Sequence, residues 1–200
     1  DGLVDKPKTN RREWLVKNNF IPAYFIDIKE RLLHLKSEIE DHSPKTNGSL
    51  IIGGGTDLIV QKHGHVKKAA IKNFFDNRDL KQITLENNKC AVGGSVTVTE
   101  LAGSSIIQNI FPDLEKCIKL ISSTPVRNMA TMAGNLVNAS PIGDMTIFFL
   151  ALNAELELSN GNSNRTIYLK DFYKGYKQLA KNNDEFIERI VFAKPPRDSQ

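Results

Sequence analysis

Three consecutive glycines, Gly53-Gly54-Gly55, stand between the apolar run Ser49-Leu50-Ile51-Ile52 and the segment Thr56-Asp57-Leu58-Ile59-Val60-Gln61-Lys62. No other feature constrains the chain as strongly, because residues without a Cβ permit positive φ and let another group approach the backbone closely. The flanks predict a short buried strand, a bare turn and a helix whose free N–H groups Thr56 or Asp57 can cap. Backbone N–H groups in such a turn suit a diphosphate. A tight strand-to-helix turn with no ligand has the same sequence, and the motif alone does not separate the two. It matches neither GxxxxGK[ST] nor GxGxxG, which argues against the usual ATP loop and the usual dinucleotide fold.

Around this turn the pattern is mixed. Arg11-Arg12-Glu13-Trp14-Leu15-Val16 and Ala23-Tyr24-Phe25-Ile26-Asp27-Ile28 have helical spacing broken at Pro22, which predicts two short helices, with Trp14, Phe20 and Phe25 as helix core. Residues 38–47 read as a loop. Ala69-Ala70-Ile71, Gln82-Ile83-Thr84-Leu85 and Cys90-Ala91-Val92-Gly93 read as strands, the last two joined by a turn at Asn87-Asn88-Lys89. Thr97-Val98-Thr99-Glu100 has capping-box spacing and opens a helix through Ile107, and Phe111-Pro112-Asp113 opens one through Leu120. After the polar stretch 122–144, a helix is expected over 146–152. Strands follow at 154–158, 165–168 and 186–192. The expected organisation is an N-terminal helical piece over 1–47, an α/β subdomain over 48–115 and an antiparallel-sheet subdomain over 116–200.

The polar stretch is the second segment that suggests chemistry: Thr124-Pro125-Val126-Arg127-Asn128-Met129-Ala130-Thr131-Met132-Ala133-Gly134-Asn135-Leu136-Val137-Asn138-Ala139-Ser140-Pro141-Ile142-Gly143-Asp144. Small residues alternate with amides and hydroxyls and no charge run occurs, a composition suited to hydrogen-bonding a large polar ligand. It is expected to be an ordered loop, and a buried polar loop without a ligand is the alternative. Asp144 precedes a helix, so N-capping explains it as well as a ligand contact does.

The Gly-Gly-Gly-Thr-Asp-Leu turn, followed about 70 residues later by Val-Arg-Asn-x-Ala-Thr-x-x-Gly-Asn-x-x-Asn-Ala-Ser-Pro-x-x-Asp, resembles the FAD-binding domain of molybdopterin dehydrogenases, the group containing xanthine dehydrogenase and carbon monoxide dehydrogenase. The opening Phe20-Ile21-Pro22-Ala23-Tyr24-Phe25-x-Asp27-Ile28 resembles the connector that follows the iron–sulfur domain in bacterial xanthine dehydrogenases. The resemblance implies an α+β fold in two subdomains with FAD between them. It implies that Ile51, Ile52, Gly53, Gly54, Gly55, Thr56, Asp57 and Leu58 hold the diphosphate through N–H groups. Ala130, Thr131, Ala133, Gly134 and Asn135 would meet it from the other side. By the same resemblance, Ile121 packs near the flavin rings or adenine, Asn138 and Asp144 hydrogen-bond ribose or ribityl hydroxyls, and Ile187 lines the cofactor. Where family members often have Gly-Gly-Asn this chain has Ala133-Gly134-Asn135, and the added methyl demands an ordinary negative φ or a slightly wider approach to the phosphate.

The implied activity is that of a flavoprotein oxidoreductase component relaying electrons from iron–sulfur clusters to NAD or another acceptor. The molybdenum cofactor and [2Fe-2S] clusters would lie on partner domains or subunits. No side chain of this chain need be an acid, base or nucleophile. A non-redox diphosphate-binding module and a flavin-free subunit-docking domain are the rival readings.

Composition narrows the field further. Cys90 and Cys117 are the only cysteines and form no CxxC pair, so they cannot hold an iron–sulfur cluster or structural zinc by themselves and read as reduced thiols of a cytoplasmic protein. A net charge of +4 from 27 basic and 23 acidic residues is too mild and scattered to suggest a nucleic-acid surface. The apolar run 145–152 falls far short of the roughly 20 residues of a membrane-spanning helix. The N-terminus lacks a signal-peptide pattern and a starting Met and reads as that of an excised piece. His63-Gly64-His65 followed by Lys67-Lys68 reads as a solvated loop rather than a metal site.

Overall fold

The computed structural model describes residues 10–40 and 49–196, so most of the predicted loop at 38–47 lies outside the described residues. The chain divides into two compact units, residues 1–43 and 44–200.

In the first unit, α1 (Arg11–Lys17) starts at Asn10, whose side chain accepts from the Arg12 N–H, and ends at Asn18. Pro22 precedes a 3₁₀ turn over Ala23–Phe25, and α2 spans Ile28–Glu40. The first predicted helix is present, but over residues 23–28 the chain makes only the 3₁₀ turn, and α2 begins at Ile28 and continues to Glu40, into the predicted loop at 38–47. The aromatic core is not formed: Trp14 is half-buried and stacks at 5.6 Å on Phe20, which is 68% exposed. A unit this small has too little apolar chain to enclose a ring on all sides.

The second unit begins with β1 (Leu50–Ile52), which runs through the glycine turn into α3 (Thr56–Val66) and returns as β2 (Ile71–Asn73), parallel to β1. His63, Gly64 and His65 lie in the last helical turn of α3 rather than in a loop, in a short piece set off from the first two turns by a kink at Lys62, where φ is −134° and ψ 35°. A hairpin of β3 (Ile83–Glu86) and β4 (Lys89–Gly93) follows.

Thr97 then nucleates α4 (Val98–Gly103) through the predicted capping box, with its side chain accepting from the Glu100 N–H and Glu100 accepting from the Thr97 N–H. The helix stops earlier than expected because Ser104, in an extended conformation, caps a new helix, α5 (Ser105–Ile110). α6 covers Leu114–Ile118.

The polar stretch is largely helical, contrary to the expected loop: α7 spans Thr124–Met129 and α8 spans Met132–Asn138. Neither is long enough to show an amphipathic stripe, and such short helices exist only through tertiary contacts that local sequence does not display. α9 (Asp144–Ala151) leads to β5 (Glu155–Ser159) and β6 (Asn164–Tyr168). After α10 (Leu169–Phe172) come the small hairpin β7 (Tyr173–Gly175) and β8 (Gln178–Leu179), then the long strand β9 (Phe186–Ala193).

The main sheet is antiparallel with order β3-β4-β9-β5-β6, so its ladder joins strands from both sides of the expected divide at 115/116. One face carries Val92, Leu156, Leu158, Ile190 and Phe192 into a core with Leu101, Ile107, Leu136 and Phe149 from the helices. A bulge shifts the β5–β9 register: Glu157 faces Arg189 while Leu158 faces Ile187, leaving Glu188 as the extra residue. Ile187 and Ile190, three positions apart, are thereby both buried, which strict alternation forbids. No helix of the described residues is long and apolar enough to cross a membrane.

Candidate functional site

Each glycine of the turn has a local reason. Gly55 is the N-cap of α3 at φ 69° and ψ 3°, a left-handed conformation that favours glycine, so the cap is neither Thr56 nor Asp57 and no side chain satisfies the helix start. A Cβ on Gly53 would fall 2.5 Å from Thr131 Oγ1, and one on Gly54 would collide with the Met129 carbonyl. The turn is therefore packed directly against the junction of α7 and α8.

That junction is held by strand-like pairing. Val98 donates to the Ala130 carbonyl at 3.0 Å and Met132 to that of Val96 at 2.8 Å, so Thr97 and Thr131 face each other as a bridge. Gly94 connects the same region to the β9 bulge, since its N–H donates to the Glu188 carbonyl at 2.8 Å and a Cβ on it would collide with the Ile187 carbonyl. Ala133, in the first turn of α8, keeps the negative φ its methyl requires and sits beside Gly94.

Between these elements lies a cavity of about 490 Å³, within the size range of small-molecule sites. Ile51, Ile52, Gly53, Gly54, Gly55, Thr56, Asp57 and Leu58 line it, and so do Ala130, Thr131, Ala133, Gly134, Asn135, Asn138 and Ile187. Ile121 and Asp144 do not. Ile121 packs against the apolar core, and Asp144 stands in the first turn of α9, behind its N-cap Gly143, where a carboxylate suits the helix dipole.

The two walls differ in what they offer. Among the described residues, no protein acceptor meets the N–H groups of Gly54, Gly55, Thr56, Asp57 or Leu58. At the start of α8 the amides are already committed: Met132 to Val96, Ala133 to Gly94, Gly134 to the Thr131 hydroxyl at 3.2 Å and Asn135 to the Thr131 carbonyl at 2.9 Å. The α3 wall can bind an anion through its backbone, whereas the α8 wall is left with side chains and the bare Cα of Gly134.

Cations complete the lining. Lys62, Lys177 and Lys181 all border the cavity, and none was singled out from the sequence. Burial pushes the Lys181 ammonium pKa down, and its Nζ donates to the Asn182 carbonyl at 2.7 Å. Of the two carboxylates on the lining, Glu185 is committed to Arg165, with hydrogen bonds of 2.6 and 2.8 Å, and to the Asn182 N–H. The Arg165 hydrogen bonds hold its pKa down at about 2. The cavity thus has unmet N–H donors and ammonium groups, a donor set that fits a dinucleotide's diphosphate. Phe74, Leu80 and Phe186 add apolar surface. The pair Gly93-Gly94 was a readable signal of another close backbone approach, but the lysines lie on turns and helix faces that share no sequence pattern.

Comparison with known proteins follows the same lines. A family model described as the FAD binding domain in molybdopterin dehydrogenase matches residues 30–195. The xanthine dehydrogenase FAD-binding subunit of Escherichia coli O157:H7 is 28% identical over 150 residues, covering 74% of this chain and 51% of that protein. The nicotinate dehydrogenase FAD-subunit of Eubacterium barkeri is 27% identical, covering 79% of this chain and 55% of its own length. Reconstituted CO dehydrogenase from Oligotropha carboxidovorans has a chain that superposes with a TM-score of 0.65 at 27% identity, covering 73% of this chain and 51% of that one. The chain spans about half the length of these relatives.

Proposed function

The chain belongs to the family of FAD-binding domains of molybdopterin dehydrogenases, and from that premise we propose that its cavity holds FAD with the diphosphate on the N–H groups of residues 54–58. The observation that carries this reading is the contrast between the two walls, one with unmet amides and the other with amides all committed. Lys62, Lys177 and Lys181 add positive charge around the same space. Thr131, Asn135 and Asn138 contribute side chains, and Ile187, fixed by the β9 bulge, contributes apolar contact. Ile121 and Asp144 stand aside from this cavity and are given no part in it.

Bound FAD supplies redox chemistry through its isoalloxazine ring, while the protein supplies placement and electrostatics. This chain's residues bind and orient, and none is assigned as an acid, base or nucleophile. The names of the relatives support a wider reading. In a whole enzyme, the domain would stand between [2Fe-2S] clusters on an iron–sulfur domain, reduced by a molybdenum-binding subunit, and NAD or another acceptor. The setting proposed is cytoplasmic, with no nucleic-acid or membrane partner.

The test is direct. The purified chain should be yellow, and the cofactor released on denaturation should be FAD. A colourless protein that also takes up no added FAD would favour a flavin-free docking domain, and uptake of other nucleoside diphosphates in its place would favour a non-redox module.

A further inference from the structure

Three residues on the cavity lining, far apart in sequence, form one hydrogen-bonded chain. Lys177 Nζ donates to Gln61 Oε1 at 3.1 Å, and Gln61 Nε2 donates to Asn138 Oδ1 at 3.3 Å. The chain joins the β7–β8 turn, α3 and α8. Lys177 occupies that turn at φ 53°, the left-handed region, so its place is set by the tight hairpin rather than by a free loop.

We infer that Lys177 is a positioning residue that, through Gln61, fixes the amide of Asn138 with its NH₂ group toward the FAD site. An ammonium has donors and no acceptor, so Gln61 must turn its oxygen to Lys177. That leaves only the Gln61 NH₂ for Asn138, which must answer with its oxygen. The remaining polar group of Asn138 is Nδ2, which meets no protein acceptor among the described residues. A carboxamide that could otherwise face either way is thereby committed to donating to an acceptor oxygen of the ligand. The inference rests on the FAD reading above and deepens it. It assigns Lys177 a role in setting the polarity of the site, in addition to its charge.

The experiment is titration of the flavin-free protein with FAD, followed by flavin absorbance and fluorescence, for the parent, Lys177→Arg, Lys177→Met and Gln61→Met. Arginine also only donates and keeps the charge, so Lys177→Arg should keep Kd within about twofold of the parent. Lys177→Met removes the donor and the charge together. Gln61→Met leaves the Lys177 charge in place and adds none, but breaks the link and frees Asn138 to turn. Gln61→Met should raise Kd by roughly fivefold or more, the scale of one net hydrogen bond, and Lys177→Met by at least as much. Because Lys177 and Gln61 are exposed, the melting temperature of the flavin-free protein should not change. An unchanged Kd in Gln61→Met overturns the inference, because Lys177 then acts through its charge alone. A parent that takes up no FAD instead overturns the reading on which it rests.

Discussion

The carbonyl oxygen of Met129 occupies the space where a side chain on Gly54 would begin. The glycine turn and the α7–α8 junction are thus one packed unit, and Gly54 is required by the fold before any ligand is considered. Gly54→Ala must displace backbone, and we expect a loss of about 2–4 kcal/mol in stability, measured by urea unfolding of the flavin-free protein. Retained stability would mean that the two segments do not touch. For the same reason, loss of flavin in a Gly54 variant cannot by itself report on phosphate contact.

Two opposite substitutions should both stabilise. A Cβ on Gly64, in the last turn of α3 beyond the kink at Lys62, would meet nothing within 4 Å, so Gly64→Ala should gain about 0.4–1 kcal/mol by reducing the freedom of the unfolded chain. Ala139 ends α8 at φ 51°, where a methyl is strained, so Ala139→Gly should gain about 1 kcal/mol. Thermal unfolding checks both, and a lowered melting temperature in either contradicts the backbone assignment at that residue.

The Arg165–Glu185 pair predicts a pH dependence. The Glu185 pKa is depressed from 4.5 to about 2 by its Arg165 hydrogen bonds, so its contribution to stability is full above about pH 4.5 and falls away as the pH drops toward 2. Glu185→Gln should therefore be less stable than the parent at pH 7, with the gap closing between pH 4.5 and 2. A gap independent of pH would show that the ion pair contributes nothing.

At the capping box, Thr97→Ala should cost about 1 kcal/mol, and Thr97→Ser should recover most of it. Thr97 starts α4 and faces Thr131, so the loss should loosen the α8 wall as well, seen as faster amide exchange at Met132. Unchanged exchange there would separate the cap from the site.

What the sequence disclosed follows the range of the interactions. The glycine turn and the capping box are local, and both could be read from neighbouring residues. The α+β architecture came with the family resemblance of the glycine turn and the polar motif, while the residues themselves showed single elements, such as the alternating strand at Leu156 and Leu158 and the helix capped by Thr97. The helical state of α7 and α8 was hidden, since it depends on pairing with residues 96–98 and on the glycine turn. The cations were hidden for a related reason: Lys62 and Lys177 border one cavity although they lie far apart in sequence, and what joins α3 to the β7–β8 turn is the hydrogen bond from Lys177 to Gln61. Asp144 illustrates the converse, since it closes the readable motif yet lies outside the cavity, as does Ile121, which was assigned by the resemblance alone.

The central claim is that the unmet amides of residues 54–58 hold the FAD diphosphate. Amide-resolved NMR of the labelled flavin-free protein during FAD addition tests it most directly. The account predicts the largest shifts at Gly54, Gly55, Thr56, Asp57 and Leu58, with the Met132 and Ala133 amides moving little because protein carbonyls already accept from them. FAD binding that leaves the Gly54 to Leu58 amides unmoved would contradict it.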